Sequence, residues 1–413
     1  MGRAAGAGLA GLLLVAAWGC RSRARRPEPG PPEVLTLVAV GDLLMHQDVK
    51  KAALQDPGGF SALWADLIPL FRESDLVFGN LESPVAPTTG RPGVPFQFNA
   101  PDSLPAALRA SGFSVLATAN NHAFDQGPRG VRETLDRLHS ENLVAVGSGE
   151  DQGRAERVQI LERRGFKVAF LAFTDLLNVD LNRRASEPWV RPLDLEPACA
   201  AVREARTQAD AVVVSLHWGN EYQLRPTQRQ RDIARALARA GCDVILGHHP
   251  HVLQPVEVLA EEGHRMLVAY SLGNFISNQD RAYRADQLPV AGGDSRDGAA
   301  LRIRLERLPD AHGRPRLQVA SAQVEPLWTE NNWGSGEPHR VIRVLRVPQA
   351  EARLRSELAR LGDPAAGPKL MPEEPIRRRA ILEVQERLRT LVLRRRRVAE
   401  VVGEAFVSQA GSP

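Results

Sequence analysis

Three histidines stand within four residues at the end of an apolar run, in the segment VILGHHPHVLQP. They are His248, His249 and His251. Imidazoles crowded this closely repel one another when protonated, and their neutral nitrogens gain most when a cation binds between them. The spacing therefore predicts a metal site where this strand ends.

Similar residue types follow four other predicted strands. Strand 34–40 is followed by Asp42 and His46, strand 75–78 by Asn80 and Glu82, strand 113–119 by Asn120, Asn121, His122 and Asp125, and strand 211–216 by His217 and Glu221. Six of the ten histidines fall at these five strand ends. Because ligands gather at the carboxyl ends of strands in open α/β sheets, we expect one shared site. Asp125 and Glu221 are predicted to orient neighbouring ligands rather than to bind metal.

The predicted ligands are carboxylates, an amide and imidazoles. This mixture suits a borderline or hard divalent ion such as Mn²⁺, Fe²⁺ or Zn²⁺. The set is larger than one tetrahedral ion needs, so the sequence indicates two ions. Two adjacent ions can hold both the attacked group and the nucleophile of a hydrolysis.

Strand and helix patterns alternate along the body of the chain, with an amphipathic helix predicted over Phe60–Phe71. Two hairpins are predicted, in VQILERRGFKVAFLAFT and in VEVLAEEGHRMLVAYSLG. Alternation early and hairpins late predict α/β layers with mixed sheets between helices. The segment 349–413 is predicted to be helical and Arg-rich, with Arg394–Arg397 in solvent.

The composition excludes a disordered chain and argues against nucleic-acid binding. The chain has 413 residues, of which 43% are hydrophobic, so it can bury a large core. Its net charge of +4 comes from the two ends, since residues 1–33 carry +3 and residues 350–413 carry +4. The body is therefore slightly acidic and lacks the basic stripe expected of a nucleic-acid partner.

The N-terminus resembles an export signal. An apolar stretch, AAGAGLAGLLLVAAWG, has the length of a signal-peptide core and ends at Cys20. We expect residues 1–20 to be a lipoprotein signal peptide, with Cys20 lipidated, and residues 21–33 to be an Arg- and Pro-rich tether. The basic RSRARR that follows opposes translocation, so an uncleaved signal anchor and a cytoplasmic protein remain alternatives. The expected location is the cell envelope, on the extracytoplasmic side.

The order of the motifs resembles one family. GD…H, GNLE, NNHxxDxG, HWGxEY, GxHPHVxQ and SLGNF are similar to the CapA family, the bacterial capsule-synthesis proteins associated with poly-γ-glutamate. That family resembles the calcineurin-like metallophosphoesterases. The resemblance covers roughly residues 34–327. It implies a layered αββα sandwich of mixed sheets over residues 34–348, followed by the helical C-terminal segment.

The resemblance also implies roles for single residues. The implied metal ligands are Asp42, His46, Glu82, Asn121, His217, His249 and His251. His122 would protonate a leaving group, with Asp125 as its catalytic partner. The residues expected around the ligands or at the rim are Asn80, Asn120, Glu221, His248 and Asn274. Asp42 and His46 are separated by three residues where the phosphoesterases have one, and Glu82 stands where they have aspartate.

Two functions of different class follow from these observations. The first is an envelope-anchored metal-dependent hydrolase, phosphoesterase-like or γ-glutamyl-directed, that acts in the synthesis or processing of poly-γ-glutamate capsule or another envelope polymer. The second is a non-catalytic accessory protein that binds the anionic polymer or a membrane synthase, with a structural metal or none. Replacing His122 separates them, because only a catalyst needs that side chain.

Overall fold

A computed structural model describes residues 34–91, 97–309, 315–333, 340–362 and 374–407. The predicted signal peptide with Cys20 and the predicted tether lie outside these ranges. No helix within them is both long and apolar enough to cross a membrane.

Strands and helices alternate through the first half of the described chain, and strands dominate the second. The strands are β1 (Val34–Leu43), β2 (Leu76–Leu81), β3 (Val115–Ala117), β4 (Val144–Val146), β5 (Ser148–Gly149), β6 (Gln159–Arg163), β7 (Phe166–Thr174), β8 (Trp189–Val190), β9 (Ala211–His217), β10 (Val244–His248), β11 (Val256–Glu261), β12 (His264–Ala269), β13 (Asn274–Ile276), β14 (Asp297–Pro309), β15 (Pro315–Asn331) and β16 (Ile342–Arg346). The helices are α1 (Gln47–Gln55), α2 (Gly59–Leu63), α3 (Ile68–Arg72), α4 (Ser103–Ser111), α5 (Gly127–Ser140), α6 (Gln152–Glu156), α7 (Leu195–Gln208), α8 (Gln228–Ala240), α9 (Val347–Gly362) and α10 (Glu374–Val402). Short 3-10 helices span Ala65–Leu67, Val290–Arg296 and Glu404–Phe406.

The first sheet is mixed and has the order β16-β15-β14-β1-β2-β3-β4, with β13 paired to the end of β1. Strands β1 to β4 are parallel, because helices make the crossovers between them. Every residue of β2 is buried, as expected for a parallel strand covered on both faces. Strands β14 to β16 extend the sheet in antiparallel fashion.

The second sheet has the order β11-β12-β10-β9-β7-β6. Its parallel centre is flanked by the two predicted hairpins, which are both present. Their two-residue turns, Arg164–Gly165 and Glu262–Gly263, have positive φ at both positions. Positive φ at both central residues matches the right-handed twist of the flanking strands, and it explains the glycine in each turn.

Two sheets packed face to face, with helices outside, confirm the predicted αββα sandwich. The core between the sheets includes Phe78 of β2 and Phe170 of β7, whose rings stack with centroids 6.2 Å apart. Helices α1 to α4 cover the outer face of the first sheet, where Trp64 is fully buried. Helices α7 and α8 cover the outer face of the second sheet. The strand ends between these layers are thereby held in a rigid frame.

The predicted helix over Phe60–Phe71 is broken into three pieces. The chain forms α2, a 3-10 turn and then α3, with Pro69 in the first turn of α3. Proline lacks the N–H that an uninterrupted helix needs at that position, so the apolar stripe continues while the helix does not.

The C-terminal segment is helical, as predicted, but the prediction that Arg394–Arg397 lie in solvent is wrong for Arg394. Helices α9 and α10 share a core with Tyr283, Trp328 and Leu345 of the sheet layer. The side chain of Arg394 is completely buried there, whereas Arg396 is exposed. Buried guanidinium groups require carboxylate partners, which Asp294 and Asp297 provide.

Candidate metal centre

The carboxyl ends of β1, β2, β9 and β10 bring predicted ligands together between the two sheets. Asp42 lies in β1 and is in register with Asn80 of β2. His217 ends β9 and is in register with His248 of β10. The register of the parallel strands thus places these four side chains at the same level along the strands, at one edge of the sandwich.

Glycines allow the backbone to approach closely beneath this edge. A Cβ atom on Gly41 would lie 1.9 Å from the carbonyl oxygen of Gly273. A Cβ atom on Gly247 would lie 1.9 Å from the carbonyl oxygen of Tyr270. No larger residue fits at either position unless the backbone moves, so both glycines are explained by packing beneath the site.

The segment after β10 carries two histidines in a left-handed backbone conformation. The φ angles are 95° at His249 and 58° at His251. Such angles cost a non-glycine residue roughly 1–3 kcal/mol. The loop is held by the Tyr222 N–H, which donates to the Pro250 carbonyl at 2.8 Å, and by the His249 N–H, which donates to Asp42 Oδ2 at 3.3 Å. These hydrogen bonds hold the strained backbone conformation, which directs the imidazoles of His249 and His251 toward the carboxylates.

Two groups of buried side chains have ligand atoms close enough to hold a metal ion. The first consists of Asp42, Glu82 and His217, and the second of Glu82, His249 and His251, with ligand atoms within 4.8 Å of one another in each group. Glu82 belongs to both groups. Its Oε1 lies 3.5 Å from His217 Nε2 and 3.8 Å from His251 Nε2. A shared carboxylate between two ligand sets is the arrangement expected of a two-ion centre.

Amide side chains contact the predicted metal ligands. Asn80 Nδ2 donates to Asp42 Oδ1 at 2.8 Å. Asn274 Oδ1 lies 3.1 Å from His251 Nδ1, whereas His251 faces Glu82 with Nε2. Asn121 Oδ1 lies 2.9 Å from His217 Nε2, the nitrogen that faces Glu82, so its oxygen lies among the predicted ligand atoms. These contacts fix the orientation of the carboxylate and imidazole groups before any ion binds.

Burial and crowding set the protonation of the two carboxylates in opposite directions. Burial alone would raise the pKa of Asp42, but His248 and His251, each with Nδ1 3.2 Å from a carboxylate oxygen, hold that pKa well below its usual value. Burial and then the negative charge of Asp42 raise the pKa of Glu82 well above its usual value. The site therefore carries one stable negative charge and one destabilised negative charge.

Two of the predicted ligand imidazoles, those of His217 and His249, are kept neutral. Burial, followed by the nearby His249, lowers the pKa of His217 well below its usual value. Burial, followed by His251, lowers the pKa of His249 to about 4. Near neutral pH these rings therefore offer lone pairs, which is the state in which imidazole binds a metal.

Several buried atoms of this cluster have no hydrogen-bond partner among the described residues. They are Glu82 Oε1, His249 Nδ1 and both ring nitrogens of His248. His248 Nδ1 is close to Asp42, but the ring is not aligned for a hydrogen bond. Buried polar atoms are normally paired, and here the unpaired atoms include a carboxylate oxygen and imidazole nitrogens. The donor set therefore fits divalent metal ions.

His122 and Asp125 lie beside the cluster as a hydrogen-bonded pair. His122 Nδ1 is 2.8 Å from Asp125 Oδ2, which also accepts the Phe98 N–H at 2.6 Å. The Phe98 ring meets the His122 ring edge-on at a centroid distance of 4.5 Å. Asn178 Nδ2 lies 3.4 Å from His122 Nδ1 and 3.5 Å from its Nε2. A carboxylate on Nδ1 orients the imidazole so that Nε2 can exchange a proton with a substrate.

His46, predicted as a metal ligand, lies outside both groups. It immediately precedes α1, and its Nδ1 accepts the Asn278 N–H at 3.3 Å. Its ring packs edge-on against Phe98 at 5.0 Å. Burial, followed by the nearby His251, lowers the pKa of His46 to about 4. The chain leaves β1 at Leu43 and carries His46 beyond the strand end that presents Asp42.

The other residues predicted around the site differ in how deeply their side chains are buried. Asn120 is buried and its Nδ2 donates to the Leu81 carbonyl at 2.9 Å. Glu221 is exposed at the rim, where its charge contributes to the raised pKa of Glu82. Glu221 thus influences the cluster through charge rather than by orienting a ligand.

Asn178 and Phe98 were missed by the sequence reasoning. Asn178 follows β7, whose carboxyl end belongs to the same edge of the sandwich. Its N–H donates to the Asn121 carbonyl at 3.0 Å, which joins the loop after β7 to the loop after β3. Applying the strand-end rule to β7 would have found Asn178. Nothing in the local sequence marks Phe98.

The fold and the site define a layered α/β protein with a candidate metal centre at its strand ends. Sequence comparison identifies the family to which it belongs. The family model described as "Bacterial capsule synthesis protein PGA_cap" matches residues 36–279. The chain belongs to this family, and the predicted resemblance to CapA proteins is confirmed.

Two relatives illustrate the match. The chain is 35% identical over 271 residues to the "PGA biosynthesis protein CapA" of Bacillus subtilis, covering 65% of this chain and 70% of that protein. It is 32% identical over 280 residues to the "Capsule biosynthesis protein CapA" of Bacillus anthracis, covering 66% of this chain and 67% of that protein.

Two solved structures illustrate the structural comparison. A 5'-nucleotidase precursor from Thermus thermophilus aligns at 15% identity and a TM-score of 0.43, over 87% of this chain and 60% of that one. The calcineurin-like phosphoesterase YfkN from Bacillus subtilis aligns at 17% identity and a TM-score of 0.42, over 72% of this chain and 91% of that one.

Proposed function

We propose that the protein is a metal-dependent hydrolase that acts in the synthesis or processing of poly-γ-glutamate capsule or another anionic envelope polymer. One observation supports this most strongly: a completely buried carboxylate, Glu82, is shared by two groups of ligands and has an unpaired oxygen. A buried carboxylate facing a second carboxylate, Asp42, is destabilised unless cations bind beside it. Family membership supplies the capsule context.

The ligands would be Asp42, Glu82, Asn121, His217, His249 and His251, and the ions would be Mn²⁺, Fe²⁺ or Zn²⁺. Bound divalent ions polarise the bond under attack and supply a nucleophile from water at neutral pH. His122 would then donate a proton from Nε2 to the leaving group. Asp125, at 2.8 Å from Nδ1, holds the ring and stabilises its positive charge.

The test is a His122→Gln variant of the full chain, assayed with phosphodiester and γ-glutamyl substrates after loading with Mn²⁺ or Zn²⁺. We expect activity to fall by about 10²–10⁴-fold, with metal content and thermal stability unchanged, because only proton transfer is lost. His139→Gln on α5 is the matched control, since His139 is exposed. Activity retained in the His122 variant would contradict the proposed role.

A non-catalytic accessory function is the second candidate, and the depth of the site favours it. Asp42 and Glu82 have no exposed surface, and His217 is only 1% exposed. Ions so deeply enclosed can stabilise a fold without meeting a substrate. In that case the protein would bind the polymer or a membrane synthase, and association with either would survive replacement of His122.

We further propose that the protein is a lipoprotein of the cell envelope that faces the extracytoplasmic side. The support is the apolar N-terminal stretch that ends at Cys20. Metabolic labelling with a fatty acid, followed by membrane fractionation of wild type and Cys20→Ala, tests this. Incorporation of label that is lost in Cys20→Ala is expected. Equal labelling of both proteins would contradict lipidation at Cys20.

A further inference from the structure

A cavity of about 720 Å³ is lined in part by Asp125, whose carboxylate contacts His122. Three arginines line it, Arg91 together with Arg129 and Arg132 of α5. Apolar side chains also line it, including Val179, which is 42% exposed. The cavity thus combines positive charge with hydrocarbon, next to the pair proposed to transfer the proton.

Within the described ranges, no carboxylate pairs with any of these three arginines. Glu133 stands four residues after Arg129 on α5, where it would be a natural partner. Its oxygens instead accept the N–H groups of Thr88 at 3.0 Å and Thr89 at 2.8 Å, and the Thr89 hydroxyl at 2.7 Å. Asp136 stands four residues after Arg132 on the same helix, but no ion pair joins it to Arg132 in the described structure. Helix α5 therefore presents two arginines with which neither of its acidic residues pairs.

The two carboxylates that line the cavity are already engaged. Asp125 accepts from Phe98 and contacts His122. Glu187 lies 3.7 Å from Arg184. The positive charge of Arg91, Arg129 and Arg132 is thus left to attract a ligand from solution.

We propose that this cavity, the Arg129 pocket, is a binding subsite for an anionic chain whose carboxylates are separated by hydrocarbon. Arginine forms paired hydrogen bonds with carboxylates, and Val179 and Leu181 contact the hydrocarbon between them. This inference rests on the proposed function for the path of the bound polymer, which would extend from the pocket past His122 toward the candidate metal centre. Binding of the anion itself needs no metal.

The experiment measures binding of a fluorescently labelled poly-γ-glutamate oligomer to the full chain, in the presence of a chelator. The test variant is Arg129→Gln/Arg132→Gln. The matched control is Arg109→Gln/Arg265→Gln, two exposed arginines on α4 and β12 that remove the same charge elsewhere. We expect binding about tenfold or more weaker in the test variant and changed by no more than about twofold in the control.

Competition with unlabelled polymers identifies the ligand chemistry. Poly-glutamate should displace the label, and polyphosphate of similar charge should displace it at least about tenfold less well, because it offers no hydrocarbon to the apolar wall. Equal binding by the test variant and wild type would overturn the proposal that the Arg129 pocket binds the oligomer. Equal competition by polyphosphate would overturn its selectivity for carboxylate chains.

The outcome is separable from the hydrolase proposal. A His249→Ala/His251→Ala variant should lose metal yet bind the oligomer as wild type does. If hydrolysis is never found but the Arg129 and Arg132 substitutions weaken binding, the subsite stands and the hydrolase proposal fails. If hydrolysis is found and the substitutions leave binding unchanged, the hydrolase proposal stands and the subsite proposal fails.

Discussion

Two clusters of buried charge in this protein are balanced in different ways. In the C-terminal cluster, Arg394 of α10 donates to Asp297 and Asp294 at 2.9 Å and 2.8 Å, and Arg397 adds a bond to Asp294 at 2.8 Å. Burial lowers the pKa of Arg394, but these carboxylates more than offset that effect and raise it. In the candidate metal centre, no described lysine or arginine pairs with Asp42 or Glu82, and imidazole and amide groups contact them instead.

The difference indicates where each cluster obtains its positive charge. The chain supplies the cation for Asp294 and Asp297 from a helix about a hundred residues further on. It supplies none for Glu82, whose Oε1 is unpaired among the described residues. The first cluster is paired when the chain folds, whereas the second leaves a carboxylate oxygen unpaired among the described residues, and this is the reason that we propose a bound cation there.

The largest expected effect is the loss of Arg394. Arg394→Ala leaves Asp297 buried without a guanidinium and Asp294 with Arg397 alone, and it should lower the free energy of unfolding by about 3–5 kcal/mol. Chemical denaturation measures the change. Arg396→Ala, which removes an exposed arginine from the same run, should change it by less than about 0.5 kcal/mol. Similar effects in the two variants would remove the distinction between buried and exposed arginines.

The next effect is stabilisation by added divalent cation. Mn²⁺ or Zn²⁺ at a hundred times its dissociation constant should raise the free energy of unfolding by about 2.7 kcal/mol, and a chelator should reverse this. Glu82→Gln should lose most of the gain, because both groups of ligands share Glu82. Thermal unfolding with and without the ion measures it. An equal gain in Glu82→Gln would place the ion elsewhere.

A smaller effect of opposite sign is expected in the metal-free protein. Glu82→Gln removes a charge that burial and Asp42 both destabilise, so the chelated variant should be as stable as wild type or up to about 1 kcal/mol more stable. The measurement is the free energy of unfolding in chelator. A clear loss of stability would show that Glu82 is already compensated, as Asp294 and Asp297 are.

The smallest effect concerns Glu133, a carboxylate that accepts hydrogen bonds from two threonines and pairs with Arg137 at 3.4 Å. The Glu133 side chain is only 10% exposed, and burial alone would raise its pKa, but bonds from Thr89 and Thr88 lower it to about 2. A carboxyl with a depressed folded pKa stabilises the fold above its unfolded pKa of about 4.3 and loses that contribution as pH falls toward 2. Glu133→Gln should therefore cost about 1 kcal/mol at pH 6 and progressively less below pH 4. A constant difference across this range would contradict the linkage.

The layers and most of the site were predictable because strand ends carry a strong local signal. Apolar runs followed by Asp42, Glu82, Asn121, His217 or His249 locate both the sheet and its functional edge. The spacing could not show where His46 goes, because that depends on how far β1 continues before α1 begins.

The C-terminal cluster was missed for a different reason. Four consecutive arginines suggest a solvated surface, yet Arg394 falls in the buried stripe formed by Leu391, Val398 and Val402 at helical spacing. That position was visible in the sequence. Its partners Asp294 and Asp297 were not, since pairing across a hundred residues is set by tertiary packing.

The most direct test of the central claim is the metal content of the purified full chain, measured by elemental analysis for wild type, His249→Ala/His251→Ala and His139→Ala. We predict about two equivalents of Mn, Fe or Zn in wild type and in His139→Ala, and a loss of most of the metal in the double variant while its circular dichroism is unchanged. A folded wild type that takes up no metal after incubation with Mn²⁺ and Zn²⁺, or a double variant that retains the full amount, would contradict the assignment of this cluster as a metal centre.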